Sequence, residues 1–208
     1  MMSGSSGRAR RVSVDHERFG VAAVGGVVSF WLLASAAGAL APGYSIRDDY
    51  TSSLAGRGSS VAVLGITALA VLGLAHLAAA ASVRGTVAIP LALAGVAGLI
   101  VAAFRVGCPG GAAGCSFGAN DPPADLADMV HGFAVGGYEI ALVVAMVVVT
   151  VRGDRRWSRV FRVLTVVAAV ASVLLLLQTG GADNGWWQRG WLIVNTGWLG
   201  TAVLARRR

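Results

Sequence analysis

The chain has 208 residues, of which 56% are hydrophobic and only 13% are charged. Because a soluble domain carries about 25% charged residues, this composition excludes an ordinary soluble fold, and the high apolar content excludes a disordered chain. The formal net charge of +7 comes from arginines that lie between apolar stretches and form no stripe with interleaved aromatic residues. The composition therefore indicates a membrane protein that binds no nucleic acid.

Six apolar stretches are long enough, at about 20 residues each, to cross a hydrocarbon core about 30 Å thick. In chain order they are residues 20–41, 61–81, 86–104, 129–151, 160–177 and 186–205. We therefore predict an all-α fold, an integral membrane bundle of six transmembrane helices that forms one domain over residues 20–205. Residues 1–19, rich in Ser, Gly and Arg, are expected to be a mobile basic cytoplasmic tail, and residues 206–208 a basic cytoplasmic end.

The first stretch has an alternative interpretation as a secretory signal peptide, since it follows a basic N-terminus and ends in Ala-Leu-Ala at residues 39–41. Two features favour a retained helix. The apolar run is longer than the roughly 7 to 15 residues of a signal peptide, and Pro42 would follow the cleavage site directly. We expect the first helix to remain in the protein.

The arginines predict the orientation of the bundle, because Lys and Arg accumulate in short cytoplasmic loops. With the N-terminus in the cytoplasm, the larger group falls on the cytoplasmic side: Arg8, Arg10, Arg11, Arg18, Arg84, Arg152, Arg155, Arg156, Arg159, Arg162, Arg206, Arg207 and Arg208. The smaller group falls on the outer side: Arg47, Arg57, Arg105 and Arg189. We predict a multi-pass protein with both ends in the cytoplasm. The chain has no Lys and favours Ala and Val over Ile, which indicates a GC-rich bacterium and thus a bacterial plasma membrane.

The fourth stretch carries a polar stripe that includes chemically reactive side chains. At 100° per residue, Asp128, His131 and Glu139 fall on one side of a helix. Gly132 and Gly136 add a small-xxx-small spacing that permits close helix approach. Because lipid cannot satisfy a polar stripe, the fourth helix is predicted to lie centrally in the bundle.

Glu139 lies about ten residues into the fourth stretch, near the middle of a membrane. An intramembrane acid is a functional candidate by default, and the alternative is a protonated or hydrogen-bonded structural residue. His76 lies on a small-residue face of the second stretch at a compatible depth. We therefore predict that Glu139 faces the bundle interior beside His76, as a proton relay or as a structural pair.

Other motifs for chemistry are sparse. Asp128 and His131 are neighbours at i and i+3 and form half of a metal site, but no His-Glu-x-x-His or Cys-x-x-Cys motif accompanies them. No phosphate loop or Gly-x-Ser-x-Gly motif is present either. We therefore assign no metal and no cofactor. Cys108 and Cys115 flank a Gly-rich segment on the predicted outer side, where a disulfide is expected; free thiols and metal ligation are the alternatives.

Three short motifs resemble the bacterial family known as domain of unknown function 998. They are residues Ser52–Gly56 (Ser-Ser-Leu-Ala-Gly), His131, and residues Gly185–Arg189 (Gly-Trp-Trp-Gln-Arg). The family often has Ser-Xaa-Leu-Gly in the first motif, whereas this chain has Ala55 in the fourth place. The resemblance implies six helices and a common set of polar residues near the outer mouth, and it brings no established activity.

The sequence favours the binding of a lipid or small molecule, or assistance to a membrane complex. We expect a polar pocket at the outer face, where Asp128, His131 and Arg189 approach one another and Ser52 and Ser53 contribute from the first outer loop. A metal-dependent membrane hydrolase and a proton-coupled transporter are the alternatives, so the sequence does not decide whether the chain is an enzyme. Expected partners are membrane lipid and either another membrane protein or a second copy of this chain.

Overall fold

The structure is a computed structural model that describes residues 5–83, 85–110, 125–152, 157–178 and 183–205, with the backbone alone for residues 5–15. Among these residues lie six α-helices: α1 (Ser5–Leu40), α2 (Ala62–Ser82), α3 (Ala88–Ala103), α4 (Leu126–Arg152), α5 (Arg159–Leu176) and α6 (Asn184–Ala205). A 3₁₀ helix, Thr51–Ala55, lies between α1 and α2 and is called the cap helix below. The predicted all-α fold with six helices is confirmed.

Four of the described helices are long and apolar enough to cross a membrane, namely His16–Leu40 of α1 together with α2, α4 and α5. α3 is also apolar but has only 16 residues, so at 1.5 Å per residue it is about 24 Å long. α6 has 22 residues, and its polar side chains leave it outside the set of four. The chain thus has several candidate membrane spans, as expected of a multi-pass membrane protein.

α1 begins at Ser5, well before the start near Gly20 that the sequence predicts. No proline lies between these two residues, and the Arg, Val, His and Glu residues there are all compatible with a helix. The backbone is therefore helical through most of the predicted tail. The His16 ring Nδ1 lies 2.9 Å from the Ala81 carbonyl oxygen, which joins this part of α1 to the end of α2.

The helices pack in chain order, each against the next, and α6 returns to α1. Among the described residues, α2 and α6 each contact three other helices and the cap helix, whereas α4 contacts mainly α3 and α5, so α4 does not have the central place that the sequence predicts. Small residues allow this packing, since a Cβ built on Gly73 of α2 would lie 2.9 Å from the Gly95 carbonyl oxygen of α3. In contrast, nothing in the described chain lies within 4 Å of a Cβ on Gly132 or Gly136, so no helix uses that spacing on α4.

The polar residues of α6 satisfy one another or their neighbours inside the bundle. Asn195 is fully buried, and its Nδ2 donates to Ser172 Oγ on α5 at 2.9 Å. The Trp198 indole N–H donates to Thr165 Oγ1 on α5 at 3.1 Å. These bonds explain how a helix with several polar side chains packs in an otherwise apolar bundle, because a paired polar group avoids most of its desolvation cost.

Three loops meet at one end of the bundle, which is called the cap end below. The Arg57 backbone N–H donates to the Val106 carbonyl at 2.9 Å, so the loop after α1 contacts the loop after α3. The Trp186 backbone N–H donates to the Arg47 carbonyl at 3.1 Å, so the loop after α1 also contacts the start of α6. The segment between α1 and α2 is therefore the organising element of the cap end.

Candidate functional site

The cap helix closes the cap end of the bundle, and all five of its residues are buried. It lies directly on the first turns of α2, where a Cβ on Gly65 would be 2.5 Å from the Ala55 nitrogen and the Leu54 carbonyl carbon. Ser53 is fully buried and its Oγ donates to the Tyr50 carbonyl at 2.7 Å. Glycine at position 65 is thus what lets the cap helix approach so closely.

Arg189 of α6 fastens the segment that precedes the cap helix. Its guanidinium donates to the carbonyl oxygens of Ile46 at 2.8 Å, Asp49 at 2.9 Å and Gly185 at 2.9 Å, and also to the Tyr44 hydroxyl. The guanidinium carbon lies 5.5 Å from the centre of the Tyr44 ring. Burial raises the pKa of the Tyr44 hydroxyl above its ordinary value, so the phenol stays neutral and accepts the hydrogen bond from Arg189.

Arg105 fastens the other end of the cap helix. Its Nε donates to the Ala55 carbonyl and its Nη2 to the Gly56 carbonyl, both at 2.7 Å. Gly56 also packs tightly on the loop after α3, since a Cβ there would lie 2.5 Å from the Cys108 carbonyl oxygen. The carbonyls at the end of this short helix thus receive charged donors, which satisfies groups that its own turns leave unpaired.

Two further arginines make ion pairs across the loops of the cap end. Arg47 pairs with Asp183 before α6, and Arg57 pairs with Asp125 before α4. The hydrogen bond from Arg57 lowers the pKa of the Asp125 carboxyl below its usual value. All four arginines that the sequence predicts on the outer side therefore hold the α1–α2 segment in place or join it to its neighbours.

A cavity of about 50 Å³ lies beneath the cap helix. A water molecule needs about 10 to 15 Å³ of such volume, so the cavity has room for several waters or a small chemical group. The cap helix and α1, α2, α3, α4 and α6 all contribute to its wall. Its polar and aromatic lining comprises Phe30, Thr51, Ser52, Tyr138, Glu139, Gln188 and Trp191, and the other lining residues are apolar.

Several polar groups of this lining lack hydrogen-bond partners among the described residues, and the buried Thr51 hydroxyl is one of them. Glu139 is half-buried, and its carboxyl group has no hydrogen bond or ion pair there. Trp191 is 3% exposed, and its indole N–H is buried without an acceptor. Because native proteins pair nearly all buried polar groups, the Thr51 hydroxyl and the Trp191 N–H beside a cavity indicate a bound ligand or ordered water. Gln188 differs, since its Oε1 accepts from the Thr51 backbone N–H at 2.7 Å.

His76 hydrogen-bonds Tyr138 rather than the predicted Glu139. It is fully buried, with Nδ1 2.8 Å from the Leu72 carbonyl oxygen and Nε2 3.3 Å from the Tyr138 hydroxyl. Consecutive residues point about 100° apart on a helix, so Tyr138 and Glu139 cannot both face α2. Both side chains line the cavity, but the Tyr138 hydroxyl is the one that contacts His76. The structure thus places Glu139 half-buried in the cavity wall with no hydrogen bond to His76, and the functional role of the two residues stays a prediction.

Asp128 and His131 bind the loop after α3. Asp128 Oδ1 accepts from the Gly107 backbone N–H at 2.7 Å, and His131 Nδ1 lies 2.6 Å from the Phe104 carbonyl oxygen. Among the described residues, the hydrogen bonds of Arg189 go to neither of them. Arg189 is drawn away because the carbonyls of the α1–α2 segment lie beside it. The expected cluster of Asp128, His131 and Arg189 is therefore not formed.

The remaining predicted residues fall into three groups. Ser52 lines the cavity as expected, and Ser53 is inside the cap helix. Cys115 lies outside the described residues, so its disulfide with Cys108 stays a prediction. In the parts of the chain that the structure describes, no three His, Cys, Asp or Glu residues are grouped so that they could hold a metal ion.

Sequence reasoning missed two residues of the cavity wall on α6. Gln188 and Trp191 are separated by three positions and so share one face of a helix with Asn195. The sequence shows this polar face, but Arg189 was taken as the site residue of α6 because it is charged.

The motifs that suggested a family lie at the cap and the cavity. The family model described as "Protein of unknown function (DUF998)" matches residues 24–205, which include the cap helix and every residue of the cavity wall. No curated protein and no solved structure matches the chain. Because the family match covers most of the chain, the resemblance of Ser52–Gly56 and Gly185–Arg189 is confirmed, and the chain belongs to the DUF998 family of proteins of unknown function.

Proposed function

We propose that this protein is a multi-pass plasma-membrane protein that binds a lipid or small molecule in the cavity beneath the cap helix. The observation that carries the proposal is the set of unpartnered groups in the cavity wall: the buried Thr51 hydroxyl and Trp191 indole N–H, and the half-buried Glu139 carboxyl. Ligand sites are usually concave, mostly apolar and fitted with a few polar groups that orient the ligand. The cavity has this character.

The tethered cap supports the same function. A binding site needs walls that hold their positions, because side chains fixed by neighbouring contacts bind with less entropic cost. Arg189 and Arg105 fix the two ends of the cap segment, and Gln188 joins its middle to α6. These contacts give the cavity a fixed roof, so a ligand meets a preformed site.

The binding proposal is tested by filling the cavity. Val135 lines the cavity, whereas Val144 on the same helix is 44% exposed on the apolar surface. We expect native mass spectrometry of the protein from its own membrane to show a bound non-protein mass. Val135→Phe should lose this mass because the larger ring occupies the site, and Val144→Phe should keep it. Retention by Val135→Phe, or no bound mass in the unaltered protein, would refute the proposal.

We also propose that the cap end faces the outside of the cell and both chain ends face the cytoplasm. The four arginines at the cap end all have partners there, so each has a structural reason to depart from the positive-inside rule. Reporter fusions after Arg84, Arg156 and Arg208 are expected to report the cytoplasm. An external signal after Arg208 would contradict this orientation.

A further inference from the structure

The cavity contains an acid and no protein cation to balance it. Glu139 is the acidic residue of the cavity wall, and none of the described residues that line the cavity is basic. The arginines of the cap end are committed to carbonyls and carboxylates of the loops. A carboxylate away from water is costly unless something neutralises it. The neutralising group is therefore a proton or a cation that none of the described residues supplies.

Aromatic side chains surround the same space. Phe30, Tyr138 and Trp191 line the cavity, and the Tyr138 and Trp191 rings lie 5.7 Å apart with an angle of 65° between their planes. In this edge-to-face contact each ring keeps at least one face that the other ring does not cover. Aromatic faces attract cations, and groups of aromatic residues are a common means of binding ammonium compounds. The wall is therefore better suited to an organic cation than to a hydrated metal ion.

The Trp191 indole, which like the Thr51 hydroxyl is buried without a partner among the described residues, adds a second requirement. The Trp191 indole N–H is a donor only, so it needs an acceptor such as an oxygen atom. A ligand that satisfies both groups carries a positive charge and, close to it, an oxygen. Amino alcohols have this pattern, both as free molecules and as the headgroups of lipids.

We propose that the cavity binds an organic ammonium group, with Glu139 as its counter-ion, the aromatic side chains around it and the Trp191 N–H donating to an oxygen of the same molecule. This inference rests on the proposed binding function and specifies its ligand class. The ammonium group has the same chemistry in a free amino alcohol and in a zwitterionic lipid headgroup. Protonation of Glu139 is the competing means of neutralisation, and it predicts no preference for cations.

The test compares choline with 3,3-dimethylbutan-1-ol, which has the same shape and hydroxyl group but no charge. The full-length protein is placed in phosphatidylglycerol nanodiscs, and binding is measured by calorimetry and by the rise in unfolding temperature that a bound ligand causes. We expect choline to bind at least about tenfold more tightly than the neutral alcohol. Equal affinity for the two compounds, or no binding of choline, would overturn the inference.

Two substitutions assign the interaction to its residues. Glu139→Gln keeps the shape of the side chain and removes its charge, so choline binding should fall about tenfold or more while binding of the neutral alcohol stays unchanged. Trp191→Phe removes the indole N–H and keeps an aromatic ring, so it should weaken the binding of choline and of the neutral alcohol alike. If Glu139→Gln leaves choline binding intact, Glu139 is not the counter-ion and the inference fails.

A comparison of two lipid compositions distinguishes the two sources of the ammonium group. If the ligand is a headgroup, nanodiscs that contain phosphatidylcholine should suppress choline binding, and native mass spectrometry should find retained phosphatidylcholine. If the ligand is a free molecule, choline should bind equally in both membranes. The ammonium inference and the binding function can fail separately. If Val135→Phe displaces a bound mass that carries no charge, the ammonium inference is overturned, whereas the binding function is supported.

Discussion

Replacing Arg189 with alanine is expected to lower the free energy of unfolding by about 2 to 4 kcal/mol. The guanidinium donates to three backbone carbonyls and to the Tyr44 hydroxyl, and its removal takes this charged donor from three partly buried acceptors and from the exposed Ile46 carbonyl. An acceptor left unpaired in a buried position costs more than the bond itself contributed, and several are affected at once. The measurement is reversible unfolding in one detergent, with hydrogen exchange over residues 44–56 as a local readout.

The same segment provides a matched control for this substitution. Arg47→Ala removes an arginine whose side chain is 67% exposed and whose partner is the carboxylate of Asp183. Water and salt screen an exposed ion pair, so Arg47→Ala should leave stability nearly unchanged. Arg189→Lys keeps the charge but cannot reach four acceptors with one ammonium group, so its stability should be intermediate. Equal effects of Arg189→Ala and Arg47→Ala would show that Arg189 does not fasten the cap.

Gly65→Ala is expected to destabilise the protein by about 1 to 3 kcal/mol or more, although alanine is the better helix former. The added Cβ would lie 2.5 Å from backbone atoms of Leu54 and Ala55, and backbone cannot move aside as the end of a side chain can. The cap helix must then lift from α2. Since the cap helix is the roof of the cavity, ligand retention should fall together with stability.

Gly197→Ala is the control for the glycine substitution. It lies in α6, and nothing in the described chain comes within 4 Å of a Cβ at this position. Alanine there should leave stability unchanged or raise it by up to about 1 kcal/mol, because it restricts the unfolded chain more than glycine does. If Gly65→Ala changes stability no more than Gly197→Ala does, the cap helix does not pack closely on Gly65.

The helices were predictable because they follow from length and hydropathy. Each predicted stretch overlaps one of the six described helices, and the bounds of α2 differ by one residue at each end from those predicted. The early start of α1 was not predictable in this way, because the apolar signal begins only near Gly20. Hydropathy identifies segments that are apolar enough to lie in lipid. It therefore does not detect a polar helical segment that extends beyond the membrane.

The site was predictable only in part, because its geometry depends on contacts between distant segments. Ser52 and Glu139 were expected at an interior or pocket position, and both line the cavity. The cap helix has only five residues. It packs closely on α2 at Gly65, and Arg105 donates to the carbonyl at its end. Arg189 binds mainly carbonyl oxygens, which every residue has, so no side-chain pattern identifies its partners.

The most direct test of the binding cavity is an experimental density map of the full-length protein purified from its own membrane. We expect non-protein density beneath the cap helix, within hydrogen-bond distance of the Glu139 carboxyl and the Trp191 indole nitrogen. A map in which the protein's own side chains fill this space would contradict the binding proposal. In such a map Glu139 would be turned to the lipid or paired with another residue of the chain.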